Sequence, residues 1–199
     1  MTNTKDNIQR ILLEKGRELV QEKGADYLTA RKLSEASGCS VGTIYNQFAN
    51  MDNFILAQNM RTLDELYDYL SRLLKDSNDY KNLNRYLDGF VSFVLANPNL
   101  WFLLYRFHLQ SEVTRLPKPY LRKLVKITGI WEPSFNNVFG NLSIKERRLS
   151  MQVLWVSLFS LSSFLTTKAL DNFSKLNKKT VSKLLLNTYL AGLSVLKKG

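Results

Sequence analysis

Residues 29–48 read TARKLSEASGCSVGTIYNQF, which is the pattern of two short helices joined by a tight turn. Thr29 and Ser40 stand at N-cap positions, because a hydroxyl oxygen there accepts a hydrogen bond from a backbone N–H that the helix leaves unpaired. Gly38 lies between the two helices, where the turn requires a positive φ. The stretch therefore predicts a helix-turn-helix.

The apolar residues of this stretch predict which faces pack together. Leu33, Cys39, Ile44 and Phe48 are spaced to join the two helices at a steep angle. The residues left outward on the second helix are small or form hydrogen bonds: Val41, Gly42, Thr43, Tyr45, Asn46 and Gln47. Such side chains suit the groove of a nucleic acid better than a protein core.

The rest of the chain predicts an all-α fold of about nine helices, since no stretch alternates with β-branched enrichment. The two helices above are expected at about 30–36 and 41–48. Of the others, four are expected at about 5–23, 51–75, 79–95 and 178–197, and a fifth begins at Pro98. A further helix is expected within 119–138, with a break near Pro133, and another extends for about 27 residues after a Ser143–Glu146 capping box.

Composition indicates a cytoplasmic protein that does not span a membrane. The N-terminus has no apolar core of a signal peptide, and the apolar stretch at 153–165 contains several serines and is short for a bilayer. The single cysteine, Cys39, excludes an intrachain disulfide. The net charge of +11 suits a nucleic-acid partner, but residues 1–50 carry only +1, whereas 101–150 and 151–199 carry +6 each.

The helix-turn-helix stretch resembles the DNA-binding domain of the TetR family of transcriptional regulators. The matching residues are Thr29, Arg31, Leu33, Ser34, Ser37, Gly38, Ser40, Gly42, Thr43, Ile44, Tyr45 and Phe48. Two positions depart from the family pattern. Gln47 stands where the family often has His or Tyr, and Met51 replaces a lysine that contacts phosphate, which predicts a weaker or less salt-dependent affinity for DNA.

The resemblance implies an N-terminal three-helix DNA-binding domain, residues 1–50, and a C-terminal helical domain, residues 51–199, for ligand binding and dimerisation. It implies a homodimer on a palindromic operator in double-stranded DNA, and a repressor released by an unidentified small molecule. Phosphate contacts are expected from Thr29, Ser40 and Tyr45, and base contacts from Arg31, Thr43, Asn46 and Gln47, with Val41 and Gly42 beside them.

Aromatic residues in the second half are candidates for the effector site. Residues 86–109 resemble a subset of the family through Phe93, Pro98 and Leu100, and the helix after Pro98 is apolar nearly all round. By the resemblance, Trp101, Tyr105, His108 and Trp131 are expected to line the pocket. Packing in the core is an equal alternative for these aromatic residues. For His108, a histidine that is partly exposed or has its hydrogen bonds satisfied is more common than one that binds an inducer or senses pH.

The last two helices are expected to form the dimer interface, because in the family they pair with their symmetry mates. The expected residues are Leu154, Trp155, Leu158, Phe159, Ser162, Leu184, Leu185, Thr188, Gly192 and Val195. At Ala191-Gly192 the small side chains would let two backbones approach closely.

Three other functions stay open on the residues alone. One is a DNA-binding protein of the same fold without an inducer, an activator or chromosome-organising factor. Another is an interaction protein with a relic helix-turn-helix. The third is an all-α enzyme, but the sequence has no motif for catalysis, a metal or a cofactor, so none is expected. The basic run Arg115, Lys118, Arg122, Lys123 and Lys126 is interpreted as a solvated face, with an anionic ligand or distal DNA as alternatives; Arg115 lies outside the residues that the structure describes.

Overall fold

The computed structural model describes residues 2–73, 76–109, 116–167 and 177–196. Within these ranges the chain forms nine α-helices, one short 3-10 turn at Ala25–Tyr27 and no strand, which confirms the predicted all-α class. The helices are α1 Thr2–Lys23, α2 Ala30–Ser37, α3 Val41–Phe48, α4 Met51–Ser71, α5 Asp79–Ala96, α6 Pro98–Leu109, α7 Lys118–Val138, α8 Ile144–Leu165 and α9 Lys178–Leu196.

Helix α4 ends at Ser71 rather than at about residue 75, and two further helices differ from the prediction. Helix α7 runs through Pro133 without the expected break, although proline leaves the carbonyl of Gly129 without its usual donor. Trp131 and Phe135, on either side of the proline, are both buried, and this packing holds the helix together. Helix α8 has 22 residues rather than the expected 27 or so, because it ends at Leu165.

The chain divides into two compact units. Unit 1 comprises Met1–Leu63 and Asn97–Leu116, and unit 2 comprises Asp64–Ala96 and Pro117–Gly199. Helix α6 thus belongs with α1 to α3, and α4 contributes to both units. The division follows the compactness of the chain and not its function. The expected boundary at residue 50, between a DNA-binding and a ligand-binding domain, therefore stays a prediction.

The core of unit 1 is built where α1 meets the two short helices and α4. Leu12, Leu33 and Ile44 have no exposed surface, and the rings of Phe48 and Phe54 meet edge to face with centroids 4.9 Å apart. The Leu33, Ile44 and Phe48 contacts predicted between α2 and α3 are therefore confirmed, with Cys39 half-buried beside them.

Two side chains of α4, Phe54 and Gln58, lie directly against the backbone of α1 at Gly16. A Cβ atom at this position would collide with the ring of Phe54 and lie 3.0 Å from Nε2 of Gln58. The Gln58 amide also donates to the backbone oxygen of Leu13 at 2.6 Å. The missing side chain at Gly16 thus allows the close approach that seats α4 against α1.

Helix α5 is the centre of unit 2 and contacts α7, α8 and α9. Tyr86 stacks on Trp131 with ring centroids 5.6 Å apart, and Phe90 meets Trp155 edge to face at 5.5 Å. The carboxylate of Asp79 accepts hydrogen bonds from Ser134 Oγ and Asn137 Nδ2 of α7, both at 2.9 Å. Aromatic packing and this polar bridge join α5 to its neighbours.

Helix α8 is long and apolar enough to cross a bilayer by length and composition alone, and α5 with α6 would pass the same test as a broken pair. Such a result is weak, because core helices of water-soluble domains share these properties. In unit 2, Leu154, Leu158 and Leu165 of α8 are buried in the protein interior.

Gly16→Ala should lower the free energy of unfolding by about 2 kcal/mol, because the added methyl group overpacks the α1–α4 contact. Urea denaturation at fixed protein concentration measures this change. Gly129→Ala is the matched control, since nothing lies within 4 Å of its Cβ position in α7. The control should gain about 0.5–1 kcal/mol from helix propensity, and equal behaviour of the two variants would contradict the close contact at Gly16.

Candidate nucleic-acid interface

Both short helices begin at the predicted caps. Thr29 Oγ1 accepts a hydrogen bond from the Lys32 backbone N–H at 3.2 Å, and Ser40 Oγ accepts one from the Thr43 N–H at 3.1 Å. Gly38 has φ 70°, in the left-handed region that ends α2. The caps and the turn glycine therefore build a helix-turn-helix over Ala30–Ser37 and Val41–Phe48.

Helix α3 turns much of the predicted reading face outward. Gly42 and Asn46 are exposed, Val41 is 37% exposed and Tyr45 is 43% exposed. Thr43 is half-buried, and its hydroxyl shares a hydrogen bond of 2.9 Å with Ser40 Oγ. Small and hydrogen-bonding groups thus line the accessible side of α3, while Ile44 holds the opposite side in the core.

Gln47 is placed differently from the other residues of the predicted reading face. The side chain is half-buried, and its Oε1 atom is enclosed without a hydrogen-bond partner. An enclosed amide oxygen without a donor is unfavourable, so rotation of this side chain outward costs little. A base contact from Gln47 stays a prediction and requires that rotation.

Arg31 forms an ion pair with a carboxylate that the sequence analysis did not predict. Its side chain is 88% exposed, and Nε donates to Glu35 Oε1 at 3.1 Å, while Lys32 Nζ donates to Glu35 Oε2 at 2.8 Å. Hydrogen bonds from Lys32 and Arg31 lower the pKa of Glu35 below its usual value. The ionised Glu35 therefore holds both cations at the start of α2, and an anionic partner would have to compete for them. The i, i+4 spacing of Arg31 and Glu35 was the available sequence signal.

The turn into α4 also departs from expectation. Ala49 has φ 66°, in a region that alanine seldom adopts, and no glycine marks the position in the sequence. Asn50 Oδ1 caps α4 by accepting from the Asn53 N–H at 2.8 Å. Met51 packs, half-buried, against the core of unit 1, so the residue in place of the family's lysine contributes to packing.

The four residues expected at an effector pocket fall in different units. Trp101, Tyr105 and His108 share one face of α6 in unit 1, whereas Trp131 lies in unit 2. Trp101 and Trp131 are fully buried, and Tyr105 and His108 are half-buried. Burial lowers the pKa of His108. Because Trp131 stacks on Tyr86, core packing accounts for at least that residue.

Two cavities open on unit 2. One of about 290 Å³ lies between α5 and the start of α9, and a surface groove of about 550 Å³ runs along α7. Their linings include Asp88, Ser92 and Lys183 in the first, and Leu121 and Val125 in the second. Neither lining contains a residue expected at the effector pocket.

The residues expected at the dimer interface are exposed on α9 but buried or half-buried on α8. On α9, Leu184 is 67% and Val195 71% exposed, and Leu185, Thr188 and Gly192 are exposed too. On α8, Leu154, Leu158 and Ser162 are buried in the protein's own core, and Trp155 and Phe159 are half-buried. The outward apolar residues of α8 lie on an adjacent stripe: Leu149, Val153, Val156 and Phe164.

The match to a known family coincides with this helix-turn-helix. A profile described as "Bacterial regulatory proteins, tetR family" matches residues 12–57, which cover most of α1, all of α2 and α3 and the start of α4. The segment belongs to the TetR family. The TetR domain and the fold that carries it support a DNA-binding transcription regulator.

Solved structures share the fold across nearly the whole chain. A Rhodococcus sp. RHA1 protein of unknown function matches with a TM-score of 0.71 at 16% identity, covering 93% of this chain and 94% of its own. The fatty acid degradation regulator FadR from Bacillus halodurans gives 0.69 at 16%, covering 92% and 98%. The TetR family regulator PfmR from Thermus thermophilus gives 0.62 at 14%, covering 90% and 97%. No curated protein matches the sequence significantly.

Ser40→Ala should lower the free energy of unfolding by about 1 kcal/mol, because α3 loses its N-cap acceptor. Ser40→Asp keeps an acceptor and places a negative charge at the helix N-terminus, so it should retain the stability of the original chain. Urea denaturation without DNA measures both variants. Equal stability of the alanine and aspartate variants would contradict the cap.

Proposed function

We propose that the protein is a TetR-type repressor that binds a palindromic operator as a homodimer and is released by a small molecule. The observation that carries the proposal is α3, a capped helix with an accessible face of Val41, Gly42, Tyr45 and Asn46. A helix of this kind fits the major groove of B-DNA.

The contacts to DNA divide into two classes. Thr29, Ser40 and Tyr45 are assigned to phosphates, because they lie at helix starts or project from the exposed side of α3, and phosphate contacts set the register. Arg31, Thr43, Asn46 and Gln47 are assigned to base edges. Of these, Asn46 is exposed and suits adenine, whereas Arg31 must first leave Glu35.

A homodimer is supported by the apolar surface that α8 and α9 leave exposed. Leu149, Val153 and Val156 continue along one side of α8, and Leu184 and Val195 lie on α9. Apolar side chains exposed to this extent on two helices are typical of an interface covered by another subunit. We therefore place the interface on the Leu149–Phe164 stripe of α8 and on the predicted residues of α9.

Two symmetric reading helices, about 34–36 Å apart, would bind a pseudo-palindrome. A small molecule that prefers a different separation of the helices would lower the affinity for DNA by shifting the population of dimers. Repression and ligand release are proposed on these grounds. We also propose that the protein acts in the cytoplasm, away from membranes, without enzymatic activity.

A second candidate is a DNA-binding protein of the same fold that has no inducer. It is favoured by the packing of Trp131, one of the four aromatic candidates, in the unit 2 core against Tyr86. The DNA contacts are the same in both proposals. They differ in whether a small molecule changes the affinity for the operator.

Tyr45→Ala should abolish specific DNA binding while the protein stays folded, since the side chain is exposed and contributes little to the core. The operator is first identified by genome-wide selection of fragments bound by the purified protein. Fluorescence anisotropy on that palindrome then compares Tyr45→Ala with Tyr80→Ala, an exposed tyrosine of α5. Normal affinity of Tyr45→Ala, or failure to recover a palindrome, would contradict the DNA-reading role.

Leu184→Glu should convert the dimer to monomers, because a carboxylate at a buried interface loses its hydration without a counter-charge. Sedimentation velocity measures the change. Val125→Glu on α7 is the control: it is 69% exposed, as Leu184 is 67% exposed, but lies outside the proposed interface. Dissociation of both variants or of neither would place the interface elsewhere.

A further inference from the structure

Two consecutive amide side chains of α4, Gln58 and Asn59, are buried in unit 1 with unused hydrogen-bonding groups. Gln58 is 1% exposed and Asn59 is fully buried. Oε1 of Gln58 and both Oδ1 and Nδ2 of Asn59 have no hydrogen-bond partner. A buried amide with no partner at all is unusual in a native protein, because its desolvation is not compensated.

Other polar groups between α1 and α4 bond to one another and not to Asn59. Gln58 Nε2 donates to the Leu13 backbone oxygen at 2.6 Å. Arg17 Nη1 donates to Thr62 Oγ1 at 3.2 Å, and that hydroxyl donates to the Gln58 backbone oxygen at 3.2 Å. These bonds join α4 to α1 and leave Asn59 outside the network.

Asn82 of α5 shows how this chain treats another buried amide. Asn82 is 9% exposed, accepts from the Asp76 N–H at 3.2 Å and donates to the Asp76 carbonyl at 2.6 Å. Its donor and acceptor sides are both used, which stabilises the start of α5. By contrast, neither side of the Asn59 amide is used within the described part of the chain.

We propose that Asn59 anchors the effector by hydrogen bonds, and that the effector carries a donor and an acceptor side by side, as a carboxamide or lactam does. The inference rests on the proposed function, since it names the chemistry of the small molecule. An amide presents one acceptor oxygen and two N–H donors, so a second amide pairs with it on both sides.

The effector is uncharged where it meets Asn59. Arg17 is the buried cation among the described residues of unit 1, and it is engaged with Thr62. A charged ligand group at Asn59 would lose its hydration without a free counter-charge. Trp101, Tyr105 and His108 belong to the same unit as Asn59, so an apolar or aromatic remainder of the ligand is consistent with their chemistry.

The first test needs no ligand and compares Asn59→Leu with Asn82→Leu by thermal unfolding at one protein concentration. Leucine resembles asparagine in shape but has no polar atoms. Asn59→Leu should raise the melting temperature, because an uncompensated amide is removed. Asn82→Leu should lower it, because completed hydrogen bonds are lost. A lower melting temperature for both variants would show that Asn59 is satisfied in the free protein and would overturn the proposal.

The second test uses benzamide, which has a paired donor and acceptor, and methyl benzoate, which has acceptors only. Benzamide should raise the melting temperature of the original chain more than methyl benzoate does at equal millimolar concentration, because a ligand bound to the folded state stabilises it. Asn59→Leu should abolish this difference. Equal shifts with the two probes, or no shift with benzamide, would overturn the paired-group anchor.

DNA binding separates this proposal from the proposed function. Asn59→Leu should bind the selected operator with unchanged affinity, since Asn59 lies outside the reading helices. Failure of the original chain to bind a palindrome would end the repressor assignment, whereas the two melting experiments would still report on Asn59. A normal operator affinity with failed melting tests would overturn the anchor alone.

Discussion

The space that Gly16 of α1 leaves for the Phe54 ring of α4 is the constraint on which unit 1 depends. Helix α1 also packs on α2 and α3, so the segment that presents the reading face is seated on the same helix that receives α4. The Gln58 bond to the Leu13 carbonyl and the Arg17 bond to Thr62 add directional contacts to this packing. An aromatic ring seated over a glycine, reinforced by polar bonds, positions α4 more narrowly than apolar packing alone.

The charges around the proposed reading helix are arranged locally. Residues 1–50 are almost neutral overall, and Glu35 holds Arg31 and Lys32 at the start of α2. Exposed ion pairs of this kind are weak, so a phosphate or a base edge can replace the carboxylate at small cost. In the proposed function, register and hydrogen bonding, more than bulk charge, are then the basis on which α3 would read DNA.

Local signals in the sequence predicted the helix-turn-helix in detail. Thr29 and Ser40 form the expected caps, Gly38 adopts the expected positive φ, and the Ser143–Glu146 capping box is present at the start of α8. Each of these features involves residues within a few positions of one another. The expected break at Pro133 was wrong, because the burial of Trp131 and Phe135 on either side outweighs the lost hydrogen bond.

The sequence by itself determined the all-α class, the caps and the apolar faces, since helix periodicity and capping are properties of short segments. Only the tertiary structure decided that α6 joins unit 1, that Leu154 and Leu158 lie in the core, and that Asn59 is buried without a partner. When a helix has apolar residues on most sides, its sequence does not predict which side packs against neighbouring helices. Whether a side chain is buried, and whether its hydrogen bonds are satisfied, depends on residues far apart in the chain. A local sequence pattern does not predict these contacts.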